Sequence, residues 1–273
     1  MSRKQAGELI IIGGGEDREH DRAILERVAE RATGGRGKLV IVTAATRVPQ
    51  DYVDVYVPAF KDLDVKHVEV LDIRTRDDAR SPENVEKLRG ADVIFFTGGS
   101  QMRIATVMGG SPVCDTMRER YRSGATVAGT SAGAAVMPET MLISGPSEVS
   151  PDADELDMAA GLGLISDVVV DTHFAERGRI GRLLTAVAQN PRLLGIGIDE
   201  DTAVVMDADQ NFSVIGSGAV YVLDGKGISF TSVERRPRGV VAVHDAKLHA
   251  LAEGNHFDWR TRRPALPADR HEK

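Results

Sequence analysis

Residues 125–135 read ATVAGTSAGAA. A short apolar run enters Gly129-Thr130-Ser131-Ala132-Gly133, and small helix-forming residues follow. This is the G-x-S-x-G pattern of a nucleophile elbow, in which a serine occupies a strained turn between a strand and a helix. Only small neighbours leave room for the backbone there. The helix that follows aims free N–H groups at the serine, so the Ala132 amide is a candidate donor to an oxyanion.

The strand–turn–helix unit recurs upstream. ELIII at 8–12, KLVIVT at 38–43, residues 65–73 and ADVIFF at 91–96 are short, rich in β-branched residues and bounded by Gly or polar clusters. Runs this apolar read as strands buried on both faces. Helical patterns lie between them. Ser81-Pro82 and Ser111-Pro112 open two, with Ser as cap and Pro at the first helical position, and Gly90 and Gly124 close them. Strands alternating with helices predict a parallel sheet covered on both faces. The last third changes character. Residues 202–206, 211–215, 219–223 and 228–233 are closely spaced strands with Asp-, Gly- and Asn-containing turns, which predict an antiparallel extension of that sheet or a small second sheet. With no repeat and no long linker, a single domain over 1–256 is expected. The stretch 257–273 (FDWRTRRPALPADRHEK) is expected to be a loosely ordered tail.

The 273 residues carry 34 basic and 41 acidic side chains, a net charge of −7 that lacks the basic excess of a nucleic-acid binder. No apolar run has the length of a membrane span, and the polar start lacks a signal peptide's apolar core, so a cytoplasmic protein is expected. A single cysteine, Cys114, excludes an intramolecular disulfide, and the scattered histidines form no metal-ligand spacing. No metal or organic cofactor is expected. Gly13-Gly14-Gly15 follows the first strand, but it lacks both the dinucleotide fingerprint and a P-loop lysine, and Glu16 and Asp17 would repel a phosphate. These glycines predict instead a tight turn and a close backbone approach at the carboxyl edge of the sheet, where open α/β sheets bind ligands. Thr97-Gly98-Gly99-Ser100-Gln101 is a second such turn, able to point amides into the cleft.

A serine nucleophile needs a base and an acid to orient it. Of seven histidines, His173 follows an apolar run, ISDVVV at 165–170, at a predicted strand end. Asp199-Glu200-Asp201 follows another, LGIGI at 194–198. Alternation along a strand lets only one or two of those three acids face the histidine, and spacing does not choose among them. The order Ser, His, acid differs from the Ser, acid, His order of α/β-hydrolases and argues against a lipase or esterase. The arginines at 177, 179 and 182 read as the opening of an amphipathic helix, with Arg179 and Arg182 on one face.

Five segments together, IIGGGED at 11–17, FFTGGSQ at 95–101, GTSAGA at 129–134, DTHFAERGRIGRL at 171–183 and GIGIDEDTA at 195–203, carry a resemblance to the cyanophycinases. These are serine peptidases of flavodoxin-like α/β fold, related to α-aspartyl dipeptidases. The resemblance runs from about Gly7 to His256. It implies Ser131 as nucleophile, His173 as base and Glu200, rather than its neighbours, as the orienting acid. It also implies an oxyanion hole from the amides of Gly99 and Ala132, with Gln101, Asp171, Thr172, Arg177, Arg179 and Arg182 near the substrate. The implied substrate is cyanophycin, a polyaspartate whose side-chain carboxyls carry arginine, or an aspartyl peptide, and a homodimer is implied as well. One departure is Thr172, where the family commonly has glutamine; the shorter side chain removes an amide donor. Two other readings are a dipeptidase for α-aspartyl peptides and a non-catalytic binding module on the same fold.

Overall fold

A computed structural model describes residues 6–35, 37–144, 156–234 and 239–265. Its main sheet has nine strands. Five run parallel in the order His67–Leu71, Lys38–Val42, Val93–Phe96, Thr126–Thr130 and Leu9–Ile12. Four antiparallel strands continue from the last of these: Thr202–Met206, Phe212–Gly216, His256–Asp258 and Arg263–Ala265. The expected mostly parallel α/β sheet with an antiparallel extension is thus present.

Alternation along the buried strands sorts their side chains into two layers. Ile10, Ile12, Leu39, Ile41, Val93 and Phe95 pack on the side of the helices Ala23–Ala29 and Pro49–Asp62. Leu9, Ile11, Val40, Val42, Ile94 and Phe96 pack on the other, under the helices Gln101–Met108 and Pro112–Arg122. Ser111 caps the second of those helices by accepting from the Cys114 amide at 3.2 Å. Ser81 does not cap with its side chain; only its carbonyl engages the helix Pro82–Arg89, from the Val85 amide.

The sequence left open which sheet holds the apolar runs leading to His173 and Glu200, and one expectation, about the C-terminal stretch, is corrected below. The two runs do not lie in the main sheet. They form the strands Val168–Thr172 and Leu194–Ile198, which pair in parallel and, with Val220–Asp224 and Lys247–Leu251, build a separate four-stranded sheet. One face of this second sheet presents Val168, Val170, Ile196 and Val222 to the core shared with the main sheet. The opposite face packs Val169 and Leu223 against Leu183, Ala186 and Val187 of the helix Ile180–Gln189. Covered on both sides, Val168–Thr172 and Leu194–Ile198 are buried throughout, like the central strands of the main sheet. The correction concerns 257–265, expected to begin a loose tail. Phe257 is buried and stacked on Phe212, and the residues around it pair as edge strands. The aromatic contact supplies the burial that the polar composition around it obscures. Residues 266–273 lie outside the described part.

Candidate active site

The carboxyl ends of the two sheets meet at Ser131. Its backbone has φ 53°, in the left-handed region that a side chain seldom adopts. The small residues of the elbow are required by contact: a Cβ on Gly129 would stand 2.6 Å from the Gly133 carbonyl carbon, and one on Gly133 2.6 Å from the Phe96 oxygen. Ala132 is the first residue of the short helix Ala132–Ala135, so its N–H is among those a helix leaves without an internal acceptor. Across the cleft, the Gly98-Gly99 turn approaches closely. A Cβ on Gly98 would lie 3.7 Å from the Ser131 Cβ and 3.7 Å from the Tyr52 hydroxyl, and Gly99 has φ 137°. Sequence reading gave no signal for Tyr52.

His173 sits just past the second sheet, with φ 50°, and its amide donates to the Gly13 carbonyl at 2.8 Å. Its Nε2 lies 2.8 Å from Ser131 Oγ and its Nδ1 2.6 Å from Glu200 Oε1. Those two distances select a tautomer. With Nδ1 protonated and donating to the carboxylate, Nε2 is free to accept the serine proton. The imidazole is largely shielded while Glu200 stays half-exposed.

Why Glu200 faces the histidine is settled by what its neighbours do. Asp199 is buried and folds back to accept from the Ala175 amide at 2.9 Å and the Ala219 amide at 3.1 Å. Loss of hydration pushes the Asp199 carboxyl up, and those two amides oppose the shift. Asp201 turns the other way and accepts from the Asp17 amide at 2.9 Å and the Ser217 hydroxyl at 2.7 Å. The middle acid alone is left for the imidazole. Its own amide donates to Glu176 Oε1 at 3.2 Å.

The triple glycine is part of the site. A Cβ on Gly14 would stand 2.6 Å from His173 Nε2, and one on Gly15 2.9 Å from Glu200 Oε2. These glycines clear the space in which the imidazole and carboxylate lie. The sequence pointed to a close backbone approach here without showing what approached. Glu16, read there only as a repulsive charge, is buried and accepts from the Thr130 hydroxyl at 2.6 Å and from Tyr56. It thereby ties down the residue before Ser131. Burial and the Glu16 charge together push the Tyr56 phenol well up.

The residues expected around the substrate divide. Asp171 and Arg182 are both buried and hold each other through two hydrogen bonds, from Arg182 Nε at 2.5 Å and from Nη2. Arg179 joins them, its Nη1 donating to Asp171 at 3.1 Å and to the Thr172 carbonyl at 2.6 Å. Burial pulls the Arg179 guanidinium down, against the pull of Asp171. Thr172 is buried beneath the histidine. These four therefore underpin the strand end that carries His173, with Asp171, Thr172 and Arg182 closed to solvent. Nor do the three arginines open one helix: the helix starts at Ile180, and Arg177 lies in the turn before it, exposed. Gln101 stands at the amino end of its helix and donates to the Leu142 carbonyl at 3.0 Å. Among the described residues, no helix is long and apolar enough to cross a membrane.

Comparisons with known proteins show the family to which the chain belongs. The model of peptidase family S51 matches residues 9–214. The chain is 38% identical over 266 residues to the cyanophycinase of Geminocystis herdmanii (strain PCC 6308), covering 97% of this chain and 98% of that protein. It is 40% identical over 262 residues to the cyanophycinase of Nostoc sp. (strain PCC 7120), covering 95% and 88%. Among solved structures, a peptidase from an acI-B1 actinobacterium shares the fold, with a TM-score of 0.69 at 23% identity over 94% of this chain and 98% of that one. With the family model spanning the elbow, both glycine turns and the strand ends that meet there, the chain belongs to peptidase family S51.

Proposed function

We propose that this peptidase is a cyanophycinase, which hydrolyses cyanophycin to β-Asp-Arg dipeptides through an acyl-enzyme on Ser131. The observation that carries the reading is the continuous chain Ser131 Oγ, His173, Glu200, with links of 2.8 and 2.6 Å. In the reaction, Ser131 Oγ attacks a backbone carbonyl carbon while its proton passes to His173 Nε2. Glu200 holds the imidazole by Nδ1 and stabilises the imidazolium that forms. The amides of Ala132 and Gly99 take the negative charge that develops on the carbonyl oxygen. Collapse of the tetrahedral intermediate breaks the C–N bond, and His173 returns its proton to the leaving amine. Water, deprotonated by the same imidazole, then attacks the ester and frees Ser131.

Support for the substrate comes from the cyanophycinases that the chain resembles over nearly all its length. Gln101 and Arg177, at the rim, are the members of the expected substrate set with the greatest access to a ligand. Asp171, Thr172, Arg179 and Arg182 act one layer back, by fixing the strand end. The test is incubation of wild type and Ser131→Ala with cyanophycin, with soluble dipeptide followed by mass spectrometry. Release of β-Asp-Arg by the wild type alone is expected. Cleavage of α-aspartyl dipeptides with no release from the polymer would reject cyanophycin as the substrate and leave the nucleophile assignment standing.

A further inference from the structure

Beside the nucleophile lies a cationic cavity of about 350 Å³, lined by Ala45, Thr46, Arg47, Gly99, Ser100 and Arg103. It shares a wall with the catalytic cleft. Gly98, one residue before Gly99, packs against the Ser131 Cβ, and the Ala45 carbonyl accepts from the Ser100 amide at 2.9 Å behind the turn. One residue of chain spans about 3.8 Å between Cα atoms, so the cavity wall at Gly99 begins one residue beyond the turn that faces Ser131.

Its lining carries two guanidinium groups and no acid. Arg47 is exposed and makes no hydrogen bond or ion pair among the described residues. Arg103 gives one nitrogen, Nη2, to the Arg74 carbonyl at 3.1 Å, while its Nε is buried without a partner. A shielded donor left unbonded on a cation is uncommon and calls for a ligand. Nearby arginines are already engaged: Arg74 pairs with Asp72, and Arg76 holds the carbonyls of Thr106 and Gly109. Two guanidinium groups lining one cavity, Arg47 without a partner among the described residues and Arg103 with donors to spare, suit a carboxylate.

We infer that Arg47 and Arg103 form a carboxylate subsite, which takes a free carboxylate of a peptide substrate within one residue of the bond that Ser131 attacks. The inference rests on the peptidase reading of the site. It deepens that reading by assigning the anionic part of the substrate to this wall of the cleft. In cyanophycin the group of that chemistry is the free carboxylate of each arginyl branch.

The test measures binding rather than turnover. Full-length Ser131→Ala is titrated calorimetrically with a trimer of β-Asp-Arg units carrying free arginyl carboxylates, and with the same trimer as arginine amides. The free acid is expected to bind at least roughly tenfold more tightly, the range of a charge-assisted hydrogen bond. Adding Arg47→Gln, at an exposed side chain with no contact to lose in folding, brings the acid to the amide's affinity and leaves the amide unchanged. Arg103→Lys, which keeps the charge and loses the fork, weakens the acid alone. Equal binding of acid and amide, no binding of either, or equal weakening of both by Arg47→Gln would overturn the inference. If the discrimination is found while wild type releases no dipeptide from cyanophycin, the subsite stands and the substrate assignment fails.

Discussion

Replacing Gly14 by alanine separates the catalytic use of the triple glycine from its structural use. The new Cβ would stand 2.6 Å from His173 Nε2. Carbon and nitrogen atoms rest about 3.4–4.0 Å apart, so the ring must retreat by about 1 Å. The ring is held from behind, because the His173 amide is bonded to the Gly13 carbonyl at 2.8 Å in the same turn. A retreat of that size breaks the 2.8 Å link to Ser131 Oγ, and a misplacement of about 1 Å costs on the order of 10²-fold in rate. Gly14 also has φ 103°, so alanine adds backbone strain of about 1–3 kcal/mol. Gly34→Ala controls for strain: its φ is 75°, and a Cβ there meets nothing within 4 Å. The assay is the rate at which a fluorophosphonate labels Ser131, read beside the melting temperature. Gly14→Ala should label at least ~100-fold more slowly. Gly34→Ala should melt a few degrees lower and label at the wild-type rate. A Gly14→Ala protein that labels at the wild-type rate would refute the claim that this glycine exists to admit the imidazole.

Two further predictions concern stability. Arg182→Leu strands the Asp171 carboxylate in a buried site, although Arg179 keeps one bond to it, and should cost about 3–5 kcal/mol in urea unfolding, much of it restored by adding Asp171→Leu. The Asp17 carboxyl is held well below its ordinary value by the amides of Glu19, His20 and Asp21. A depressed folded value means that the carboxylate contributes stability above the unfolded value of about 4 and loses it as pH falls through the lower folded value. Wild type should therefore melt above Asp17→Asn at pH 6, and the gap should close on acidification; a gap that is the same at pH 2 and pH 6 would contradict this.

Ser131 was legible because its turn constrains composition: Gly129 and Gly133 each meet backbone where a side chain would go. His173 was legible by its place at the end of an apolar run. The sheet to which that run belongs was not, because an apolar strand says that both faces are covered without saying by what. Here one cover is the main sheet and the other the helix Ile180–Gln189. The choice among Asp199, Glu200 and Asp201 lay beyond spacing for a similar reason. It depends on amides at 17, 175 and 219, far away in the chain, which claim the two aspartates. The same holds for Asp171 and Arg182, whose charges looked available to substrate and are spent on each other. Phe257 was hidden by the polar residues around it, in strands of three residues that are too short to display a period.

Ser131 and His173 follow strands of different sheets, and this orders their appearance in time. His173 follows Ser131 by 42 residues, and Glu200 follows His173 by 27. At roughly 5–20 residues per second, a ribosome finishes the strand before Ser131 several seconds before it has made Glu200. The position of the imidazole rests on the pairing of Val168–Thr172 with Leu194–Ile198 and on the packing of that pair against the main sheet. The contacts that join Ser131, His173 and Glu200 can therefore close only after residue 200 has been made, by parts of the chain that lie on both sheets.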